Sequence, residues 1–566
     1  MSERKEFVRG TGIAQILDRA ITDCPDQDAI VFYGWHISYK SFYMYVIQTA
    51  RWLHERGIGM GDTVGIISRN RPEFLIVEFA LYKLGAIPVK INWRLAPNEI
   101  SSQLLTSGVT FAFMQIENET WGRSLLEQHC DSINFFIMDG CDMESSSLLR
   151  VVTNYPAIDF QVHIPDTAIA CHMHTSGTTG HAKTVVCTHG SLLDKMSIVK
   201  DMYGYKPGAR LQFITQLFHS GAIGAWLCFA TCGTLVLMNS FSTESYLLSI
   251  ERERVNAISI IPTILKRILD ELDRREYDLS SLEIIRYSTC PVSPALLTRA
   301  IEKLNCKFYQ SYGMTEMGSM VTILSPDEHF SDGMSHLSTV GRPIPETEIR
   351  IVGPSGRPCL AGEKGEIYIK GPGEMLEYYG QPELTAAHKK DGWYSSGDMG
   401  FIDVKGYLTV SGRKDDLIIS GGENIYPSEI TNVLMKLDEI SECCAFGVPD
   451  EIWGESVKAC VTLTPGSTLT TDDIFNYCRQ NMPHFKAPKE IQILDELPKN
   501  TSGKILINEL KARAFETSKI IWRRIYENET HRNVWHQVSY NSKRNAVAGS
   551  TTACVCRMQC RGNRHH

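Results

Sequence analysis

The chain is poor in the features that mark secreted, membrane and nucleic-acid-binding proteins. Seventeen cysteines in 566 residues fall far short of a disulfide scaffold. Most, such as Cys171, Cys228 and Cys306, sit singly in apolar surroundings, as buried reduced thiols do. The first ten residues, MSERKEFVRG, carry no apolar core of the signal-peptide kind, so a soluble, cytoplasmic protein is expected. Long hydrophobic runs are scarce too. Residues 211–243 contain no Asp, Glu, Lys or Arg, but Gln212, Gln216, His219, Ser220 and several glycines interrupt them. A buried helix followed by a buried strand is expected there, not a membrane span. A basic excess is also missing: the net charge of −8 argues against nucleic acid as the main partner. No internal repeat recurs.

The charge is unevenly spread. Residues 517–566 hold nine Lys/Arg and two Glu, a net +7, which leaves −15 for residues 1–516. This basic tail loses hydrophobic periodicity and is expected to be disordered. Its Cys554, Cys556, Cys560, His565 and His566 match no standard zinc spacing.

A chain of this length exceeds what one core usually covers, so two or more domains are expected. The first 400 or so residues alternate strand-like and helix-like segments. Thr63-Val64-Gly65-Ile66-Ile67 predicts a strand, residues 73–84 a helix ending at Gly85, and Ile87-Pro88-Val89-Lys90-Ile91 the next strand. Residues 255–269 repeat the pattern, with Pro262 at the helix start. Such alternation implies an α/β fold with a mainly parallel sheet. After about Gly341 the texture becomes period-two runs between Gly/Pro turns, which predicts a small antiparallel sheet or barrel. From Arg413 a separate unit of about 100 residues is expected, with helices near residues 428–437 and 471–481.

Against this background one loop stands out: His174-Thr175-Ser176-Gly177-Thr178-Thr179-Gly180-His181-Ala182-Lys183. Glycines let backbone N–H groups approach phosphate oxygens, hydroxyls add donors and a lysine adds charge. It is not a Walker loop, because Lys183 stands three residues after Gly180 and a β-branched, strand-like run follows instead of a helix. Four other segments carry compatible chemistry. Gln310-Ser311-Tyr312-Gly313-Met314-Thr315-Glu316 sets a hydroxyl beside a carboxylate, as a magnesium–phosphate site requires. Trp393-Tyr394-Ser395-Ser396-Gly397-Asp398 places an acid after a tight turn. Ser411-Gly412-Arg413-Lys414-Asp415-Asp416 is a charged junction, soon followed by the glycine loop Ser420-Gly421-Gly422-Glu423. Leu497-Pro498-Lys499-Asn500-Thr501-Ser502-Gly503-Lys504 sets a lysine on a late loop.

In this order the segments resemble the ANL superfamily of adenylate-forming enzymes, which spans acyl-CoA synthetases, peptide-synthetase adenylation domains and firefly-type luciferases. The resemblance covers about residues 10–515. It implies a large N-terminal AMP-binding domain (1–412) of two doubly wound sheets plus a small β-barrel. A small mobile α+β catalytic domain (413–516) and the tail (517–566) would follow. ATP, Mg²⁺ and CoA are the implied cofactors, and a small-molecule carboxylic acid the substrate, in a monomer or homodimer. Thr175, Ser176, Gly177, Thr178, Thr179, Gly180 and Lys183 would hold the β- and γ-phosphates. Tyr312 would lie against the adenine, and Asp398 and Arg413 would take the ribose hydroxyls. The implied catalytic set is Lys504, His219, Thr315 and Glu316, with Glu316 the metal ligand. Thr315 would touch the α-phosphate, Lys504 would bridge it to the attacking carboxylate, and His219 would line the acyl site. Gly421 and Gly422 would guide the pantetheine arm, and Asp415 would be the hinge.

Two departures from the family pattern stand out. Ala182 replaces a usual proline, which loosens the loop without removing a ligand. Ser288 and Thr289 replace a glycine pair beside the adenine and the acyl pocket, adding side chains where backbone normally passes. The implied activity is an acid–CoA ligase: ATP converts the acid to an acyl-adenylate and the CoA thiol then takes the acyl group. The alternatives are a stand-alone enzyme that loads a carrier protein, and a nucleotide-binding pseudoenzyme motivated by the altered glycine pair.

Overall fold

A computed structural model describes residues 7–115, 132–138, 145–175, 183–219, 221–289, 292, 294–421, 423–450, 452–499 and 505–514. Two compact units partition the chain, one up to Leu506 and one from Ile507. Of the second, residues 507–514 are described and are helical. Among the described residues no helix is long and apolar enough to cross a membrane. The cysteine-rich end of the tail lies outside the described residues.

The first unit is α/β, as expected, and contains four sheets among its described residues. One has seven strands in the order Glu377–Tyr378, Lys183–Thr188, Ile169–Thr175, Ile87–Ile91, Thr63–Ile67, Phe111–Gln115 and Asn134–Met138. Its centre is parallel, and Lys183–Thr188 and Glu377–Tyr378 add antiparallel strands at one edge. The strand Ile87–Ile91 is buried throughout, as a parallel strand covered on both faces must be. The helix Pro72–Leu84 begins with proline at its first turn and ends at Gly85, whose φ of 70° closes it in the left-handed region. All 13 of its residues are buried, so it has no polar face.

The second sheet has nine strands: Arg342–Pro343, Ser319–Leu324, Lys307–Met314, Ile284–Ser288, Ala257–Ile260, Arg210–Phe213, Thr234–Leu237, Asp28–Phe32 and Trp35–Ser38. The uncharged stretch 211–243 forms the expected buried helix, Ala222–Ala230, and strand, Thr234–Leu237. It also opens inside a further strand, Arg210–Phe213.

The third sheet, after Gly341, is antiparallel and comprises Glu348–Val352, Gly365–Lys370, Trp393–Ile402, Lys389–Lys390 and Leu408–Arg413. Of the two forms expected here it is an open sheet, with Glu348–Val352 paired to Gly365–Lys370 at one edge. The fourth sheet contains Ile418–Ser420, Glu423–Ile425, Ile440–Asp450, Gly454–Leu463 and Glu490–Ile493. The helices Pro427–Leu434 and Thr471–Asn481 accompany it; Thr470 and Asp473 form a capping box that starts the second.

One expectation needs correction. Cys171 is not solitary: the register of its hairpin sets it directly opposite Cys187, and both thiols are fully buried. Cys306 is only half-buried, its Sγ donating to the Leu282 carbonyl.

Candidate active site

The phosphate-loop residues divide into ends that are described and a middle that is not. Thr175 closes the strand Ile169–Thr175, Lys183 opens Lys183–Thr188, and the two stand opposite each other in the ladder. Ser176, Gly177, Thr178, Thr179, Gly180 and Ala182 lie outside the described residues, as do Gly422 and Lys504. The Lys183 ammonium stands over the Tyr378 ring, 5.2 Å from its centroid, a cation–π geometry.

Tyr312 sits near the end of the strand Lys307–Met314, and Thr315 and Glu316 form the 3₁₀ turn that follows. Gly313 is obligatory here, since a Cβ on it would stand 1.7 Å from the Ser319 carbonyl oxygen. The Tyr312 hydroxyl donates to Asp398 Oδ2 at 2.5 Å. Arg413, opposite Asp398 in the next strand, places Nε 2.9 Å from Oδ1 and donates from Nη1 to the Ser396 carbonyl at 3.0 Å. Burial lowers the Arg413 pKa, but Asp398, Tyr312 and Glu316 outweigh it and hold the value above the ordinary one. Three motifs that are far apart in sequence thus meet at one point, and Glu316 is within electrostatic reach of it.

Glu316 accepts a hydrogen bond at Oε1 from the Tyr378 hydroxyl at 2.9 Å, while its backbone carbonyl accepts from Met375 N–H. Among the described residues no donor occupies Oε2. One open carboxylate oxygen suits Mg²⁺, which takes one or two carboxylates and completes its shell with phosphates and water. The described residues also contain no cluster of three or more His, Cys, Asp or Glu able to cage a metal.

His219 lies on the loop after Arg210–Phe213. Asn70, in the bend between the strand Thr63–Ile67 and the helix Pro72–Leu84, ties this loop down. Its Oδ1 accepts from Leu217 N–H at 2.9 Å and its Nδ2 donates to the Thr215 carbonyl at 2.9 Å. Burial, and then the Arg94 charge, push the His219 imidazole down to about 4, so it is neutral at physiological pH. Its Nε2 is buried without a hydrogen-bond partner among the described residues. Trp93 donates from Nε1 to Gln216 Oε1 at 3.3 Å, and the Arg69 and Arg94 guanidiniums stand 4.3 and 4.4 Å from its ring.

Ser288 ends its strand opposite Ser311, one residue from Tyr312. Thr289 follows with φ of 73°, a left-handed conformation that β-branched residues resist. Asp415 is exposed in the turn Lys414–Asp416. Gly421, at φ 60°, lies under Trp453, and a Cβ there would meet the indole at 2.6 Å. Asn70, Tyr378 and Tyr394 join the geometry of the site without having been singled out by the motifs. Tyr394 lies within the segment 393–398; Asn70 and Tyr378 carry no sequence signal.

The sequence matches the AMP-binding enzyme family over residues 17–379 and the AMP-binding enzyme C-terminal domain over residues 429–504. The chain belongs to the AMP-binding enzyme family. A feruloyl-CoA synthase of Amycolatopsis is 33% identical over 509 residues, which span 89% of this chain and 100% of that protein. The fatty acid–[acyl-carrier-protein] ligase ScoC of Streptomyces coeruleorubidus is 30% identical, over 86% of this chain and 94% of its own. In solved structures, the o-succinylbenzoate-CoA synthetase of Bacillus subtilis with its acyl-adenylate intermediate is 29% identical with a TM-score of 0.78. That match covers 89% of this chain and 99% of the other. The same synthetase with ATP and magnesium ion is 30% identical, with a TM-score of 0.77 over 88% of this chain and 99% of the other. This AMP-binding enzyme is accordingly an ATP-dependent, AMP-forming ligase.

Proposed function

We propose that the chain is an acid–CoA ligase, and the observation that carries this is the convergence of Tyr312, Asp398 and Arg413 beside Glu316 and Lys183. In the first step a carboxylate oxygen attacks the α-phosphorus of ATP, and the bond to pyrophosphate breaks. Two anions meet in this step, so its barrier is electrostatic and fixed cations lower it. Lys183 and the loop it closes hold the leaving pyrophosphate, Asp398 and Arg413 grip the ribose, and Thr315 donates to the α-phosphate. Lys504 bridges the two reacting anions. When bound by Glu316, Mg²⁺ supplies charge neutralisation across the phosphates. In the second step the CoA thiol attacks the acyl carbon, and AMP leaves.

The domain of residues 413–516 turns about Asp415 between the steps, withdrawing Lys504 and bringing Gly421 and Gly422 to the pantetheine arm. His219, neutral and with its Nε2 buried, lines the acyl site, and the enzyme works in the cytosol. ATP–pyrophosphate exchange over a panel of short, long and aromatic acids tests this reading. Exchange with none of them would support the pseudoenzyme instead. The likeness to ScoC favours a second acceptor, a carrier protein. Thioester formation on CoA against a holo carrier protein decides between them.

A further inference from the structure

Tyr378 has no part in the steps above, yet it touches both an anion and a cation of the site. Its hydroxyl is 2.9 Å from Glu316 Oε1 and 3.0 Å from the Tyr394 hydroxyl, and its ring carries the Lys183 ammonium at 5.2 Å. Its backbone is fixed on two sides. It pairs with Val185 in the strand that Lys183 opens, and its N–H donates to Thr385 Oγ1 at 3.0 Å. The side chain is 1% exposed.

The hydrogen-bond directions follow from donor supply. A phenol has one proton and a carboxylate has none, so the Tyr378 proton goes to Glu316. The Tyr378 oxygen is then left to accept from Tyr394. The result is a chain, Tyr394 to Tyr378 to Glu316, in which each bond polarises the next. Tyr394 lies four residues before Asp398 on the strand Trp393–Ile402, so the chain ends on the element that carries the proposed ribose site.

We propose that Tyr378 is a positioning residue for the metal–triphosphate complex. It fixes the Glu316 carboxylate so that Oε2 is presented to the divalent cation, and it steadies Lys183 above its ring for the departing phosphates. This rests on the proposed role of Glu316, but not on which acid or thiol is used.

The test is Mn²⁺ binding by electron paramagnetic resonance, titrated with ATP present and no acid added. Tyr378→Phe keeps the ring under Lys183 and removes one hydroxyl. Losing a partner that orients a metal ligand costs about 10–100-fold in metal affinity, so Mn²⁺ binding should weaken at least about tenfold. Added Mg²⁺ should recover pyrophosphate exchange in the variant. Tyr394→Phe, which leaves the Glu316 bond intact, should weaken Mn²⁺ binding less. In a Glu316→Gln background Tyr378→Phe should add nothing, a coupling that a packing role would not show. Wild-type Mn²⁺ affinity in Tyr378→Phe, or full additivity with Glu316→Gln, overturns the proposal. If the wild type binds Mn²⁺ with ATP yet exchanges pyrophosphate with no acid, the ligase reading falls and the role of Tyr378 stands.

Discussion

Tyr312 and Asp398, 86 positions apart, are joined by a hydroxyl-to-carboxylate hydrogen bond of 2.5 Å, with the carboxylate buried. The bond leaves Asp398 with Tyr312 on one oxygen and Arg413 on the other. Tyr312→Phe would strip a buried carboxylate of one donor, which costs about 1–3 kcal/mol. The melting temperature should fall accordingly, and ATP should restore part of it by offering ribose hydroxyls to the vacated oxygen. A melt in which ATP protects variant and wild type equally would separate Asp398 from the ribose.

Lys504→Ala should slow adenylation by about 10²–10³-fold, the cost of one donor at a developing charge. Thioester formation from supplied acyl-adenylate should be largely spared, because in the proposed second step the lysine has been withdrawn. Stopped-flow or quench measurement of the two half-reactions decides this; equal loss in both would overturn a role confined to the first step.

Thr289 offers a stability test with an acid-range readout. Releasing a non-glycine residue from the left-handed region gains about 1–2 kcal/mol, while glycine's extra chain entropy costs about 0.5–1 kcal/mol. The first effect wins narrowly, so Thr289→Gly should be no less stable than the wild type. It should also accept bulkier acids in pyrophosphate exchange, because the removed side chain is exposed at the end of the strand beside Tyr312. An unchanged acid profile would remove Thr289 from the acyl site.

The buried histidines predict sensitivity to mild acid. Burial pushes His172, His174, His189 and His219 down to about 4, from the ordinary 6.5. Above pH 6.5 both folded and unfolded chains keep them neutral. As pH falls from 6.5 toward 4 the unfolded chain takes protons that the folded one refuses, so stability declines across that window. Below about 4 the folded state is protonated too and no further loss comes from these groups. Thermal melts from pH 7 to 4 should show the decline. His172→Phe should flatten it, since both ring nitrogens of His172 are buried without partners among the described residues.

The order of motifs and the apolar periodicity were enough to anticipate the α/β class, the helix Pro72–Leu84 and the gathering of Glu316, Asp398 and Arg413. Local patterns carry that much because each motif or helix signals itself within about ten residues. What escaped depends on pairing over distance. Cys171 meets Cys187 only through the register of a hairpin, and Tyr378 belongs to a strand of two residues, too short for any period. The sequence showed that Thr289 adds a side chain, but its positive φ is a property of the turn it must complete.

Glu429 stands between Lys364, just before the strand Gly365–Lys370, and Lys486, beyond the Arg413 junction, at 2.7 and 2.9 Å. All three side chains keep about a quarter to a third of their surface open, 34, 26 and 24%. Charges so exposed are screened by salt, over about 8 Å at physiological ionic strength. A clasp of this kind ties Lys364 and Lys486 to Glu429 by an attraction that the solvent itself tunes. If residues 413–516 turn between the half-reactions as proposed, ionic strength should shift the balance between them, without any change to the residues that perform either one.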